Sequence, residues 1–145
     1  MTRADTTSRN PMPSFLSPLL ESPDAAHRLV NTRTGQVIAS NPKAAVDSAS
    51  RRTGLLKHES MPNGFALIIA PCNAVHTFGM RFAIDLIFAD RQGRVLKTCH
   101  AVPRRRIAIS WRAFATIELA AGTLEQIPVQ ADDIIGLVPA SSGWT

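Results

Sequence analysis

At 145 residues the chain is the size of one ordinary domain, and 45% hydrophobic content with 19% charged residues supports a single core and excludes a wholly disordered protein. Sixteen Lys and Arg against eleven Asp and Glu leave a formal net charge of +5, a basic balance that favours acidic partners such as nucleic acid, phosphate groups or anionic lipid. Two cysteines, Cys72 and Cys99, are too few for a disulfide scaffold, the opening residues lack an apolar leader and no run is long enough for a membrane span, so a cytoplasmic protein with reduced thiols is expected.

Residues 1–26 are rich in Thr, Ser and Pro and read as a flexible tail. Phe15, Leu16, Leu19 and Leu20 are its apolar exception, able to dock on the domain or on a partner, although a short apolar patch in a tail is more often merely sticky. The domain is expected over 27–139. Arg28–Asn31 and Gln36–Ala39 flank Thr32-Arg33-Thr34-Gly35, a hairpin signal in which Gly35 supplies the positive φ of a bulged turn. Asn41-Pro42 predicts a helix start, Asn as cap and Pro at the first helical position, with Val46, Ala49, Thr53 and Leu56 on one face and Gly54 near its end.

Phe65–Ala70 is a fully buried strand interrupted by Pro71, and a further strand is expected over Phe82–Ala89. Asp90-Arg91-Gln92-Gly93 turns the chain into a return strand over Arg94–Val102. Pro103–Arg106 is a loop and Ile107–Trp111 an apolar connector. Phe114–Leu119 alternates as a strand, and Thr123 with Gln126 three residues on predicts a capping box for a helix held to about one turn by Pro128. After the Asp132-Asp133 turn, Ile134–Val138 closes the sequence of strands, and 140–145 reads as a frayed C-terminus. The sum is a mainly β fold: a compact, antiparallel, barrel- or sandwich-like domain with one packed α-helix and a short helical turn.

The run Cys72-Asn73-Ala74-Val75-His76-Thr77-Phe78-Gly79-Met80-Arg81-Phe82-Ala83-Ile84-Asp85-Leu86-Ile87-Phe88 resembles the signature of the domain of unknown function 192 family, small bacterial and archaeal proteins without an assigned activity. Arg51–Leu56, Asp90–Val95 and Ile117–Gly122 extend the likeness, which spans roughly 27–138. Ala83, Pro128 and Asp132 stand where the family often has proline, glycine and glycine. The resemblance implies a compact, mostly β domain with a helix and brings no substrate.

The residues that need a chemical explanation lie in the same run. Alternation puts Phe82, Ile84, Leu86 and Phe88 on one face and Arg81, Ala83, Asp85 and Ile87 on the other, so Asp85 is a carboxylate among apolar neighbours and must be paired or protonated. Counting back through a Gly93 bulged turn places Asp85 opposite Cys99, or opposite Thr98 after a one-residue slip. Either Asp85 bonds backbone amides or an arginine such as Arg81, or it anchors a polar pocket. The pocket reading gathers His76, Met80, Arg81 and Asp85 around a small anionic ligand. An enzyme using His76 and Asp85 as acid and base is the alternative. Arg104, Arg105 and Arg106, with Trp111 as a stacking platform, form a weaker candidate for polyanion or nucleic-acid binding.

No metal is expected: Cys72-x3-His76 and adjacent Cys99-His100 lack the paired spacings of known sites. On an extended strand Cys72 and His76 would lie about 13 Å apart, too far for a thiolate and its base. There is no Gly-x-Ser-x-Gly elbow, P-loop or dinucleotide fingerprint, so no cofactor and no catalytic residue is assigned.

Overall fold

The computed structural model describes residues 13–53, 55 and 58–143. In chain order its elements are α1 (Ser17–Glu21), β1 (His27–Asn31), β2 (Val37–Ala39), β3 (Asn41–Ala45), α2 (Ser48–Thr53), β4 (Phe65–Ile69), β5 (Ala74–His76), β6 (Ile84–Ala89), β7 (Val95–Val102), β8 (Ile107–Ile109), β9 (Ala115–Ala120), α3 (Thr123–Gln126) and β10 (Ile135–Pro139). The fold is mainly β and sandwich-like, without barrel closure. A three-stranded sheet runs β10-β1-β2, a five-stranded sheet runs β3-β4-β9-β6-β7, and β5 and β8 pair as a separate ribbon.

The five-stranded sheet is buried on both faces, which is why β6 is buried over its whole length. One face carries Ile68, Ile87, Ile117 and Leu119 against Leu29, Ile38 and Leu137 of the smaller sheet. The other carries Leu67, Ile84, Leu86 and Phe88, covered by Leu55 and Met80 and by Val75 and Ala108 of the ribbon. The alternation expected for Phe82–Phe88 is therefore real, and it separates two cores.

Both hairpins form where expected. Gly35 and Gly93 have φ of 74° and 87°. Gly93 is required for a second reason: a Cβ there would lie 2.2 Å from the carbonyl oxygen of Ile135. Leu16 and Leu19 dock on the domain and are buried in the core, with the Phe15 N–H donating to the Arg91 carbonyl, so packing begins before His27 and this stretch is more than a sticky patch in a tail. At the other end the Ala140 N–H donates to the Ala26 carbonyl. Met1–Met12, Gly54, Leu56, Lys57 and the last two residues lie outside the described residues.

Three local expectations are corrected. Asn41-Pro42 opens an edge strand, β3, parallel to β4, and not a helix. Proline suits an edge, where its missing N–H costs no ladder bond, and the pairing buries Pro42 and Ala45. The helix starts later, where the Asp47 carboxylate accepts the Ser50 N–H at 2.8 Å. The apolar connector Ile107–Trp111 contains β8, antiparallel to β5. Finally, β7 carries two register irregularities against β6: Ala89 faces Val95, but Leu86 faces Cys99 and Ile84 faces Val102. Each irregularity adds a residue to β7, so Asp85 faces neither Cys99 nor Thr98.

Candidate functional site

Asp85 is 1% exposed and both its oxygens are occupied. Oδ1 accepts the N–H of Ala101 at 2.7 Å, and Oδ2 accepts the N–H of Leu124 at 2.8 Å. Ala101 sits at φ 46°, in the second irregularity of β7, which turns its N–H toward the carboxylate. Leu124 is in the first turn of α3, whose Gly122 N-cap makes no side-chain cap bond. The expected capping box is replaced: the Thr123 hydroxyl donates to the Ala120 carbonyl, and Asp85 arrives from β6 to satisfy an otherwise orphaned donor. Of the two readings of Asp85, the contacts are those of backbone amides.

The structure does not draw His76, Met80, Arg81 and Asp85 around one cavity. Met80 is buried in the core under the ribbon, on the sheet face opposite to Asp85. Arg81 is exposed and pairs with Glu59 at 3.2 Å, both side chains well solvated. His76 is exposed at the end of β5, its ring 5.8 Å from that of Phe78. A groove of about 750 Å³ lies elsewhere, walled by Leu16, Leu20, Val46, Pro71, Arg91 and Phe114, with the Arg91 guanidinium 4.2 Å from the Phe114 ring centre.

The structure does bring His76 to the arginine loop, through Thr77. This buried threonine donates its hydroxyl to the Pro103 carbonyl at 2.7 Å and accepts the Arg106 N–H at 2.9 Å. Its own N–H donates to the Arg106 carbonyl at 2.9 Å, and its carbonyl accepts the Arg105 N–H at 3.4 Å. Arg105 has φ 63°, a conformation that these four bonds hold. Arg104, Arg105 and Arg106 are thereby fixed, exposed, beside His76 and Phe78. His76 pairs across the ribbon with Ile107, which is 65% exposed. At the other end the Asn73 amide donates to the Trp111 carbonyl at 3.4 Å, and Trp111 is 80% exposed. The Lys97 ammonium donates to the Ile109 carbonyl at 3.1 Å, adding a cation beside β8.

The charge is segregated. Between Asp90 and Glu118 the chain holds seven Lys and Arg and no acidic residue; Arg94 meets Asp132 at 3.5 Å and Arg91 lies over Phe114 in the other groove, which leaves Lys97, Arg104, Arg105, Arg106 and Arg112 on the ribbon side. A cationic surface with exposed aromatic and aliphatic side chains can hold an anion electrostatically without any reaction at it.

Two acids escaped the sequence reading. Glu118 lies on β9 between Leu67 and Leu86, is 5% exposed, and its Oε2 has no hydrogen-bond partner. Burial pushes its carboxyl up to about 7. The signal was present: Ile117-Glu118-Leu119 threads a carboxylate through an apolar strand just as Ile84-Asp85-Leu86 does. Asp133 accepts from the Arg33 guanidinium, the Asn31 side-chain amide at 2.9 Å and the Gln130 N–H at 3.0 Å. These donors, Arg33 first, hold its carboxyl down at about 2. Its role is to tie the β1–β2 turn to the approach to β10.

The model of a family described as DUF192, Uncharacterized ACR, matches residues 29–137. Two crystal structures share the fold. A candidate transcription regulator from Sinorhizobium meliloti 1021 is 18% identical with a TM-score of 0.66, over 77% of this chain and 91% of that one. A protein of unknown function from Novosphingobium aromaticivorans DSM 12444 is 15% identical with a TM-score of 0.64, over 76% and 82%. No curated protein matches the chain.

Proposed function

Because the chain belongs to DUF192, a family of uncharacterised proteins, its own residues have to carry the functional reading, and we propose that it is a non-catalytic accessory domain that binds a small anionic ligand. The ligand sits on the ribbon face, against Arg104, Arg105 and Arg106 and the His76 ring, with Arg81 as a further cation on the same segment of chain. The observation that carries this reading is the set of Thr77 bonds, which hold three consecutive arginines in one exposed loop at the end of β5. Guanidinium groups recognise phosphate and carboxylate oxygens with paired N–H donors, so an oxyanion is the fitting ligand. Met80 and Asp85 support the site from the core and do not touch the ligand.

Titration of the amide NMR spectrum with inorganic tripolyphosphate tests the proposal. Shifts are expected at Thr77 and at Arg104–Ile107, and they are lost in the Arg104→Ala/Arg105→Ala/Arg106→Ala triple variant. No binding at low salt, or equal binding by the triple variant, overturns it.

A further inference from the structure

We infer that the anion taken by the ribbon face is the backbone of a single-stranded nucleic acid, whose bases stack on Phe78 and Trp111; the inference rests on the anion-binding reading above. Two large aromatic side chains bracket the ribbon, Phe78 at 48% exposure and Trp111 at 80%, and Ile107 lies between them. All three are withheld from a core that has room for Phe88 and Ile84 at full burial. Exposed aromatic faces interleaved with guanidinium and ammonium groups are what an unpaired strand requires: the cations meet the phosphates and the rings meet the bases.

The dimensions agree. The extended stretch from Arg106 to Ser110 spans roughly 13 Å at strand rise, the length of about four stacked nucleotides, and Trp111 stands in the turn that follows β8. Arg104, Arg105 and Arg106 stand at one end of that track, Lys97 lies along it through its bond to the Ile109 carbonyl, and Arg112 follows Trp111. Nothing acidic in the sequence between Asp90 and Glu118 opposes them.

A duplex fits less well. The helices among the described residues have five, six and four residues, too short to lie along a major groove as a recognition helix does. A two-stranded ribbon can enter that groove, but Val75 and Ala108 hold this one flat against the core.

The test uses the full chain carrying Trp144→Phe, so that Trp111 is the remaining tryptophan. A short oligothymidylate is expected to quench Trp111 fluorescence, whereas polyphosphate of equal charge binds without quenching. The logarithm of affinity for the oligonucleotide should fall with the logarithm of salt with a slope between about −2 and −3.5, for roughly three to five neutralised phosphates. Phe78→Ala and Trp111→Ala, read by anisotropy of labelled oligonucleotide, should each weaken its binding roughly tenfold or more and leave polyphosphate unaffected. If both ligands bind alike, without quenching and without response to the aromatic substitutions, the nucleic-acid inference falls and the anion site stands. If duplex of the same length binds more tightly than the single strand, the inference also falls. If neither ligand binds, both readings fall.

Discussion

The carboxylate of Asp85 is the missing cap of a helix 39 residues away: its Oδ2 accepts the Leu124 N–H at 2.8 Å, while Oδ1 accepts the Ala101 N–H at 2.7 Å. One side chain thus ties β6 to the start of α3 and to an irregularity in β7. A helix of four residues with no capping side chain of its own depends on such a partner, because its first N–H groups have no carbonyl to meet.

Replacing Asp85 by Ala leaves the Leu124 donor buried and unsatisfied, so stability should fall by about 2–4 kcal/mol in urea denaturation. Asp85→Asn recovers little, since one amide oxygen cannot replace two acceptors and its NH₂ would confront a backbone N–H. A loss below about 0.5 kcal/mol for Asp85→Ala would contradict this cap.

Glu118 makes stability fall as pH rises. Its carboxyl titrates at about 7 in the folded chain against an ordinary value of 4.5, so between these values the unfolded chain has released the proton and the folded chain holds it. The contribution of the protonated acid is whole below pH 4.5 and is lost as pH climbs through 7. Glu118→Gln removes the titration and should be more stable than wild type by on the order of 2 kcal/mol at pH 8, and nearly equal to it at pH 4. Parallel stability curves for the two proteins across that range would refute the assignment.

Asp133 works in the opposite sense. Its folded value of about 2 lies below the ordinary 3.8, so its contribution is present above pH 3.8 and disappears as the pH falls toward 2. Because Arg33 is half exposed, solvent screens the pair and weakens its attraction. Arg33→Ala should raise the midpoint of acid unfolding, while the same substitution at the exposed Arg104 should shift it less. Acid titration followed by circular dichroism distinguishes them.

Gly93→Ala should be among the most damaging single-methyl additions in the chain. The residue sits at φ 87°, and the new Cβ would meet the Ile135 carbonyl oxygen at 2.2 Å. The Ile135 N–H also donates to the Gly93 carbonyl, so the clash cannot be relieved without parting β10 from the β6–β7 turn. A loss of about 2–4 kcal/mol is expected from strain and displacement together. Gly35→Ala is the control, with a similar φ of 74° and no atom within 4 Å, and should cost only about 1 kcal/mol. Equal losses at both positions would contradict the crowding argument.

Much of the fold was legible. Alternation in 82–88 identified a strand with two distinct faces, and Gly35 and Gly93 marked both hairpins, because side-chain period and positive φ are local properties. The candidate site was less legible. Counting from Gly93 puts Cys99 opposite Asp85, but the irregularities in β7 insert residues that no local rule announces. Asn41-Pro42 suits a helix start and an edge strand equally, and pairing with β4 decided between them. The role of Thr77 was hidden because its partners lie 26 and 29 residues further on.

Strands, turns, the basic stretch from Arg91 to Arg112 and the need of Asp85 for partners can all be read along the chain, since each follows from neighbours a few residues apart. Who those partners are comes from three-dimensional packing: backbone amides for Asp85, Arg33 for Asp133, none for the buried Oε2 of Glu118, and Thr77 for the loop that sets the arginines beside His76. Hydrogen-bond geometry is met or missed within a few tenths of an ångström, and that closeness is created by packing distant segments on both faces of one sheet.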